Sequence, residues 1–302
     1  MTSGHISVVH LFPGQGSQFP GMGKQLYEKY SEVRQIYASA KKIAGFDVAE
    51  ISFEADKKTL AQTRYTQPCI FTHSYAVLIA LGSKAEFSAV AGHSLGEYSA
   101  LVAGGVLSFE DGLRAVTVRG QVMSQAEAGG MLAPLGANLD TVQEVVDELK
   151  EKGIIEVANY NAPGQIIISG EKDILKFAAE MLKERGAKKI IPLPVSGAFH
   201  SPLMNDAQKE MKKLLDKIEF GKPKVMFYSN VTGDKIESPE EIRKNLVLQI
   251  TNPVRWMNII ENMTGNGVDK FVEIGPGKVL QGLIARIDNE VITTDWQSIL
   301  EL

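Results

Sequence analysis

The chain has 302 residues, of which 44% are hydrophobic and 23% are charged, and its net charge is −4. These proportions are ordinary for a globular protein with one large domain or two unequal ones. The negative charge argues against a nucleic-acid-binding protein, which needs a basic surface, and no apolar run is as long as a membrane span. Because the amino terminus lacks the basic leader and long apolar core of a secretory signal, we expect a cytoplasmic protein that does not bind membranes.

The first predicted element is an apolar strand over residues 6–12, which ends in a glycine-rich loop at 13–18. Open α/β sheets bind ligands in loops at the carboxyl ends of their strands. The loop has neither the Gly-x-Gly-x-x-Gly spacing nor the Gly-Lys-Ser/Thr of a phosphate-binding loop, which argues against a nucleotide site. We expect it instead to donate a backbone N–H to a neighbouring active site, by analogy with hydrolase sheets.

Two helical patterns follow, at residues 23–44 and 68–81, and Gly82 is expected to cap the second. Cys69 lies near the start of the second pattern, among apolar residues, where we expect it to pack in the core. As the only cysteine, it excludes an intramolecular disulfide and a cysteine-based metal site.

A Gly-x-Ser-x-Gly pattern is centred on Ser94, between a short apolar strand at 88–91 and a helix at 95–103. A sharp strand-to-helix turn leaves no room for side chains beside the serine, which accounts for Gly92 and Gly96. Such a turn exposes Ser94 Oγ beside free N–H groups of the helix start, which suit an oxyanion. A glycine-flanked turn without chemistry is the alternative, but the flanking strand and helix favour a nucleophile.

A third helix, predicted over residues 109–126, places Arg119 on its apolar face with Val116 and Met123. A guanidinium that points inward keeps its charge and needs an anionic partner. That partner is either a carboxylate of the protein or a carboxylate of a substrate, and the pattern alone leaves both open.

Strands and helices then alternate as β-α-β-β-α-β, the ferredoxin-like order. The predicted elements are strands at 131–137, 154–159, 165–169 and 188–192, helices at 141–152 and 174–185, and a turn at 161–164. Because this unit begins and ends within the chain, we expect an inserted subdomain at 129–195 and a body made of 1–128 and 196–302. A cleft between the two would be a natural substrate site.

The remaining elements are strands at 225–229 and 270–274, helices at 203–218 and 239–249, a helix that begins at Val254, and a last clear helix that ends at Arg286. Outside the insert, this alternation predicts an α/β body with a doubly wound, mostly parallel sheet.

A nucleophilic serine needs a base, which is usually histidine. The chain has five histidines: His5, His10, His73, His93 and His200. The first two belong to the amino terminus and first strand, and His73 lies in an apolar helix, where we expect a core histidine with satisfied hydrogen bonds. His93 adjoins the serine and is expected to support the turn. Elimination favours His200, in a loop at the inferred domain junction, with a backbone carbonyl as the acceptor for its second ring nitrogen.

Several motifs occur in one order along nearly the whole chain. They are PGQGSQ at 13–18, GHSLGE at 92–97, RGQ at 119–121, NYNAPGQ at 159–165, GAFHS at 197–201, residues 249–256, and EIGPG at 273–277. In this order they resemble the malonyl-CoA:acyl carrier protein transacylases, which include standalone acyltransferases of polyketide synthesis. The resemblance implies an α/β-hydrolase-like body with an inserted ferredoxin-like subdomain, in agreement with the element pattern.

The resemblance implies that Ser94 is the acylated nucleophile and that His200 is its general base. It implies that the backbone carbonyl of Gln249 orients His200. The backbone N–H groups of Gln15 and Leu95 would form the oxyanion hole.

The resemblance also implies how a substrate is chosen. Arg119 would bind the free carboxylate of the malonyl group, and Asn161 would line the approach of the pantetheine arm. Phe199, beside the base, would crowd the α-carbon, and methylmalonyl-selective relatives carry a smaller residue there. We therefore expect malonyl to be preferred over methylmalonyl and acetyl.

The implied reaction is a ping-pong transfer of malonyl from malonyl-CoA to the phosphopantetheine thiol of an acyl carrier protein, for fatty-acid or polyketide synthesis. It needs no bound cofactor or metal, and we expect a monomer. The alternative is an editing hydrolase of the same fold, which frees acyl groups from carrier proteins. Arg119 argues against that alternative, because an editor of simple acyl chains does not need a carboxylate clamp. A general esterase and a non-catalytic docking module are more distant alternatives.

The carrier protein is expected to be acidic and therefore to need a local basic patch on this mildly acidic chain. Lys183, Arg185, Lys188 and Lys189 are candidates for such a patch. A solvated helix end, favoured by the helix dipole, explains the same residues without any docking role.

One segment of the chain departs from the family pattern. Relatives commonly have small residues without proline where this chain has Pro134. Because proline cannot donate to a strand ladder, we expect an edge strand or a bulge at that point.

Overall fold

The computed structural model describes residues 8–84, 86–126 and 128–301, so His5 and the start of the first predicted strand lie outside the described residues. In chain order the elements are β1 (Val9–Phe12), α1 (Lys24–Lys29), α2 (Ser31–Ala44), α3 (Val48–Phe53), α4 (Lys57–Leu60), α5 (Thr63–Leu81), β2 (Ala89–Gly92), α6 (Gly96–Ala103), α7 (Phe109–Ser124), β3 (Gly130–Leu135), α8 (Leu139–Lys150), β4 (Ile155–Ala162), β5 (Gln165–Gly170), α9 (Lys172–Glu184), β6 (Lys189–Pro192), α10 (Asn205–Leu215), β7 (Met226–Tyr228), β8 (Lys235–Ile236), α11 (Pro239–Leu248), α12 (Trp256–Gly265), β9 (Lys270–Glu273), α13 (Val279–Ile287), β10 (Ile292–Asp295) and α14 (Trp296–Leu300). Among the described helices, none has both the length and the apolar character that crossing a bilayer requires.

The larger sheet has six strands in the order β10-β9-β1-β2-β7-β8. Adjacent strands in this sheet are parallel, except for the antiparallel pair β7 and β8. This arrangement confirms the predicted mostly parallel sheet. The strands β1 and β2 are buried along their whole length, as expected for parallel strands covered on both faces. Phe12 pairs with Gly92 at their carboxyl ends, so the glycine-rich loop and the serine turn lie side by side.

The smaller sheet is a separate antiparallel sheet with strand order β4-β5-β3-β6. The elements of this unit follow one another as β-α-β-β-α-β. The helices α8 and α9 pack on the sheet, and the buried apolar side chains of these elements form a core cluster of their own. It touches the larger unit where Asn159 forms a parallel bridge with Val254. This contact holds β4 against the region that precedes α12.

The prediction for Pro134 was wrong, because β3 is an inner strand between β5 and β6. The carbonyl of Met131 accepts from Leu193 beside β6, so the odd-numbered residues of β3 face β6. Pro134 therefore faces β5, whose pairing with β3 ends at Leu132. The missing N–H removes no ladder hydrogen bond, which is why an inner strand accepts this proline.

Several predicted boundaries also needed correction. The pattern at 23–44 is two helices, because Tyr30 is extended and ends α1. The helix predicted from 68 begins at Thr63, with Pro68 inside it, because tertiary packing buries its first turns and stabilises them. The predicted 161–164 turn shrinks to two residues, because Ala162 still pairs with Gln165.

The short elements α3, α4, β8, β10 and α14 were not predicted. The expectations for the second helical pattern were confirmed at two positions. Cys69 is fully buried in the core, and the backbone N–H of Gly82 donates to the Leu78 carbonyl at the end of α5.

Candidate active site

The serine turn between β2 and α6 is unusually tight. A Cβ on Gly92 would lie 1.9 Å from the Gly96 carbonyl oxygen, and one on Gly96 would lie 2.0 Å from the Phe12 oxygen. Neither position therefore accepts a side chain without backbone movement. Between them, Ser94 has a φ of 52°, in the left-handed region that non-glycine residues seldom adopt. Such backbone strain persists only where the surroundings hold it in place, and it is common at active sites.

Asn230, which follows the neighbouring strand β7, holds this strained turn. Its Oδ1 accepts the Ser94 backbone N–H at 2.7 Å, and its Nδ2 donates to the Gly92 carbonyl at 2.6 Å. The Asn230 backbone N–H in turn donates to the Glu97 carboxylate at 3.0 Å. Sequence reasoning missed Asn230, although it follows β7, beside β2, at the carboxyl edge of the sheet where ligand sites form.

His200 lies against the serine. Its Nε2 is 2.8 Å from Ser94 Oγ, and its Nδ1 is 2.7 Å from the Gln249 carbonyl oxygen. Because a carbonyl only accepts, Nδ1 carries the ring proton and Nε2 is free to accept from the serine hydroxyl. Burial, with Arg119 nearby, lowers the pKa of His200 to about 3, so the imidazole is neutral at ordinary pH. Like Ser94, His200 has a positive φ, of 59°.

Arg119 on α7 is 1% exposed and reaches the same serine. Its Nη2 donates to Ser94 Oγ at 3.0 Å and to Gln249 Oε1 at 3.0 Å, and its Nη1 donates to Gln67 Oε1 at 2.9 Å. Its Nε has no hydrogen-bond partner among the described residues. Within the described part of the chain, no carboxylate forms a salt bridge with Arg119, so its direct partners are neutral oxygens. The guanidinium thus has no direct anionic partner among the described residues.

Glu97 is a buried carboxylate that is linked to Arg119 through one intervening side chain. Gln249 connects them, since its Nε2 donates to Glu97 while its Oε1 accepts from Arg119. Burial raises the pKa of Glu97 to about 7, against the opposing effect of hydrogen bonds from Asn230 and Gln249. Glu97 therefore fixes the Gln249 side chain, and the backbone carbonyl of the same glutamine meets His200. Glu97 lies within the serine motif, but the sequence analysis assigned it no function.

These side chains open into a cavity of about 100 Å³ beside the serine, between the two sheets. Its lining is Gln15, His93, Ser94, Met131, Asn159, Leu193, Val195, Phe199 and His200. Among the described residues, neither the Gln15 nor the Leu95 backbone N–H donates to a protein acceptor, so both are available to a ligand. A short acyl group fits this volume.

Other predicted residues fall outside this cavity. Asn161 Oδ1 lies 2.7 Å from His93 Nε2, so it contacts a neighbour of the serine and does not line the cavity. His10 stacks on Phe87 in the core. The expectation of a hydrogen-bonded His73 was wrong, because its ring lies edge-on to Trp296 and neither nitrogen has a partner among the described residues.

We expect Asn230→Ala to slow acylation of Ser94 by about 10- to 100-fold, because two hydrogen bonds that hold the turn are lost. Asn230→Asp is the matched control, since it keeps an acceptor for the Ser94 N–H but loses the donor to Gly92. The rate at which an activated ester acylates Ser94 reports whether its Oγ is correctly placed. Thermal unfolding of the same variants shows whether the fold itself is destabilised. Equal rates for the wild type and Asn230→Ala would show that the turn holds its shape without Asn230.

Comparison with known proteins places the chain in one family. A sequence model described as the acyl transferase domain matches residues 9–291. The chain is 41% identical over 293 residues to the malonyl CoA-acyl carrier protein transacylase of Bacillus subtilis strain 168, covering 95% of this chain and 92% of that protein. The chain belongs to the acyl transferase domain family and, within it, to the malonyl-CoA:acyl carrier protein transacylases.

Solved structures agree with this placement. The malonyl CoA-acyl carrier protein transacylase from Clostridium perfringens is 38% identical with a TM-score of 0.92, and the match covers 98% of this chain and 95% of that one. A type II PKS acyl-carrier protein in complex with its malonyl-transacylase gives a match at 37% identity and a TM-score of 0.91, covering 96% and 94% of the two chains.

Proposed function

We propose that this chain transfers a malonyl group from malonyl-CoA to the phosphopantetheine thiol of an acyl carrier protein, through a malonyl ester on Ser94. One observation carries the proposal. Ser94 Oγ lies 2.8 Å from a neutral, buried imidazole and 3.0 Å from a buried guanidinium that pairs with no carboxylate in the described part of the chain. A base activates the nucleophile, and the cation selects an acyl group that ends in a carboxylate.

The first half-reaction begins with His200 Nε2 taking the hydroxyl proton as Ser94 Oγ attacks the thioester carbonyl. The Gln249 carbonyl stabilises the imidazolium through Nδ1–H. The free N–H groups of Gln15 and Leu95 form the oxyanion hole, where each such donor lowers the barrier by about 3 kcal/mol. The tetrahedral intermediate collapses with cleavage of the C–S bond, and His200 returns the proton to the CoA sulfur.

The carboxylate of the bound malonyl group pairs with Arg119, whose protein partners among the described residues are neutral oxygens. Phe199 lines the cavity beside the base and narrows the space at the α-carbon. These two side chains favour malonyl over acetyl, which has no carboxylate, and over methylmalonyl, which is branched. Asn161 acts through His93 at the approach of the pantetheine arm.

The second half-reaction repeats these steps in reverse with the carrier-protein thiol as nucleophile. The solved complex of a carrier protein with its malonyl-transacylase supports this partner. Of the predicted docking cations, Arg185 already pairs with Glu148 at 2.8 Å, which leaves Lys183, Lys188 and Lys189 for an acidic partner. We assign no cofactor to the reaction and take one chain as the functional unit.

The same proposal covers the architecture. We interpret the larger unit, residues 1–128 and 196–302, as an α/β-hydrolase-like body and residues 129–195 as a ferredoxin-like subdomain. The strand order β4-β5-β3-β6 and the β-α-β-β-α-β element order support the second interpretation. The catalytic cavity then lies at the junction, since Met131 and Leu193 of the small unit face Ser94.

Intact-protein mass after brief incubation with malonyl-CoA tests the reaction. We expect a malonyl adduct on the wild type that moves to an added holo acyl carrier protein and is absent from Ser94→Ala. Apo carrier protein, which lacks the thiol, is the matched control for transfer. An adduct lost to water at one rate whether or not holo carrier protein is present would identify the editing hydrolase instead.

A further inference from the structure

Three buried polar side chains form a continuous series of hydrogen bonds next to the serine turn. Glu97, Gln249 and Arg119 are each at most 1% exposed. Glu97 Oε2 accepts from Gln249 Nε2, and Gln249 Oε1 accepts from Arg119 Nη2 at 3.0 Å. The same Nε2 also donates to the Ser94 carbonyl oxygen at 2.9 Å. The Gln249 amide therefore connects a buried acid to a buried base.

The two ends of this amide are not interchangeable. A carboxylate only accepts hydrogen bonds and a guanidinium only donates them. Glu97 therefore requires the Nε2 end of Gln249, which leaves the Oε1 end for Arg119. The other carboxylate oxygen of Glu97 accepts the Asn230 backbone N–H at 3.0 Å, so both of its oxygens act as acceptors. The charge on Glu97 thus determines which way the Gln249 amide points.

We propose that Glu97 is a positioning residue for substrate selection, which orients the Gln249 amide so that Arg119 is held beside Ser94 for a substrate carboxylate. This inference rests on the proposed function. The Arg119 Nη2 atom that donates to Gln249 also donates to Ser94 Oγ at 3.0 Å, so the amide orientation sets where the cation lies at the acylation site.

The arrangement also leaves the guanidinium to the substrate. Glu97 does not line the catalytic cavity, and it acts on Arg119 through an amide. A carboxylate in direct contact with Arg119 would compete with the substrate carboxylate for the same N–H donors. An acid placed one side chain away orients the guanidinium without this competition.

The test is the ratio of the second-order rate constants for acylation of Ser94 by malonyl-CoA and by acetyl-CoA, followed by intact mass. In Glu97→Gln, an NH2 group replaces the oxygen that accepts from Gln249. The Gln249 amide then turns its Oε1 to this donor and its Nε2 to Arg119, which has no acceptor to offer. We expect the ratio to fall about tenfold, because Arg119 loses a charge-assisted hydrogen bond. A merely structural role for Glu97 would lower both rate constants equally.

Glu273→Gln is the matched control. Glu273 is also 1% exposed, and its two oxygens likewise accept two backbone N–H groups, of Leu280 and Gln281, at 3.1 Å each. It does not line the catalytic cavity, so its replacement should leave the ratio unchanged. Thermal unfolding of both variants compares their stability.

Gln249→Met provides a second test, because it removes the amide but keeps the backbone carbonyl that meets His200. Adding Glu97→Gln to this variant should change the ratio no further, since the two side chains act in series. A wild-type ratio in Glu97→Gln, an equal fall in Glu273→Gln, or independent effects of Glu97→Gln and Gln249→Met would each overturn the inference. A wild type that forms no malonyl adduct would overturn the proposed function itself. A wild-type preference for malonyl that Glu97→Gln retains would overturn only this inference.

Discussion

His200→Ala should lower the rate of Ser94 acylation by malonyl-CoA about 10³-fold, the range in which a positioned general base contributes. The physical reason is that His200 Nε2, 2.8 Å from the hydroxyl, is the acceptor that removes its proton as the thioester is attacked. Single-turnover kinetics by intact mass measure this step directly. His73→Phe is the matched control, because that buried ring makes no hydrogen bond among the described residues, and it should leave the rate unchanged.

The pH dependence of the wild type gives an independent readout of the same base. Burial and Arg119 lower the pKa of His200 to about 3, so the reactive neutral imidazole persists well below the ordinary histidine pKa of about 6.5. Acylation by malonyl-CoA should therefore remain nearly constant as the pH falls from 8 to about 5.5. A loss with a midpoint near 6.5, together with a small effect of His200→Ala, would contradict the assignment of His200 as a base of lowered pKa.

Local patterns predicted the parts of the site that local sterics determine. Gly92 and Gly96 flank Ser94 because a Cβ at either position would clash with a backbone oxygen, of Gly96 or of Phe12, and any strand-to-helix turn this tight needs glycine there. His200 was accessible by elimination, because the chain offers few histidines. The predicted carbonyl partner for its second nitrogen lies at Gln249, where the resemblance placed it.

Long-range contacts explain what the sequence did not predict. Asn230 is 136 residues from Ser94 in the chain, and Gln67 is 52 residues from Arg119. Neither residue type has a distinctive spacing, because its function depends on which strand or helix becomes the neighbour. Glu97 lies within the serine motif, yet its partners Asn230 and Gln249 come from the far end of the chain.

Most of the fold predictions that depend on local patterns were correct, whereas the incorrect prediction for Pro134 depends on long-range contacts. Hydrophobic periodicity predicts most of the helices and strands, but it does not predict where each strand lies in its sheet. Pro134 illustrates this limit, since its intrinsic chemistry indicates an edge whereas β3 is an inner strand. The position accepts proline because the ladder with β5 ends at Leu132, a property of the neighbouring strand.

Arg119→Ala should lower acylation by malonyl-CoA about 100-fold while changing acylation by acetyl-CoA much less, so that the preference between the two nearly disappears. Loss of one partner of a buried, hydrogen-bonded charge pair typically weakens binding by about 2–5 kcal/mol, and only malonyl forms that pair. Acylation rates with both thioesters, measured by intact mass on the same preparation, give the preference directly.

Arg119→Ala also removes the hydrogen bonds that the guanidinium donates to neighbouring side chains. Removing the guanidinium leaves the amide oxygens of Gln67 and Gln249 without a donor, which destabilises the site. Arg119→Lys is the matched control, because it keeps the charge but cannot reach both amides and the serine as the planar guanidinium does. Retention of part of the malonyl preference in the lysine variant, and not in the alanine variant, identifies carboxylate recognition by charge. An equal fall for malonyl-CoA and acetyl-CoA in the alanine variant would instead mean that Arg119 positions Ser94 Oγ and does not select the substrate.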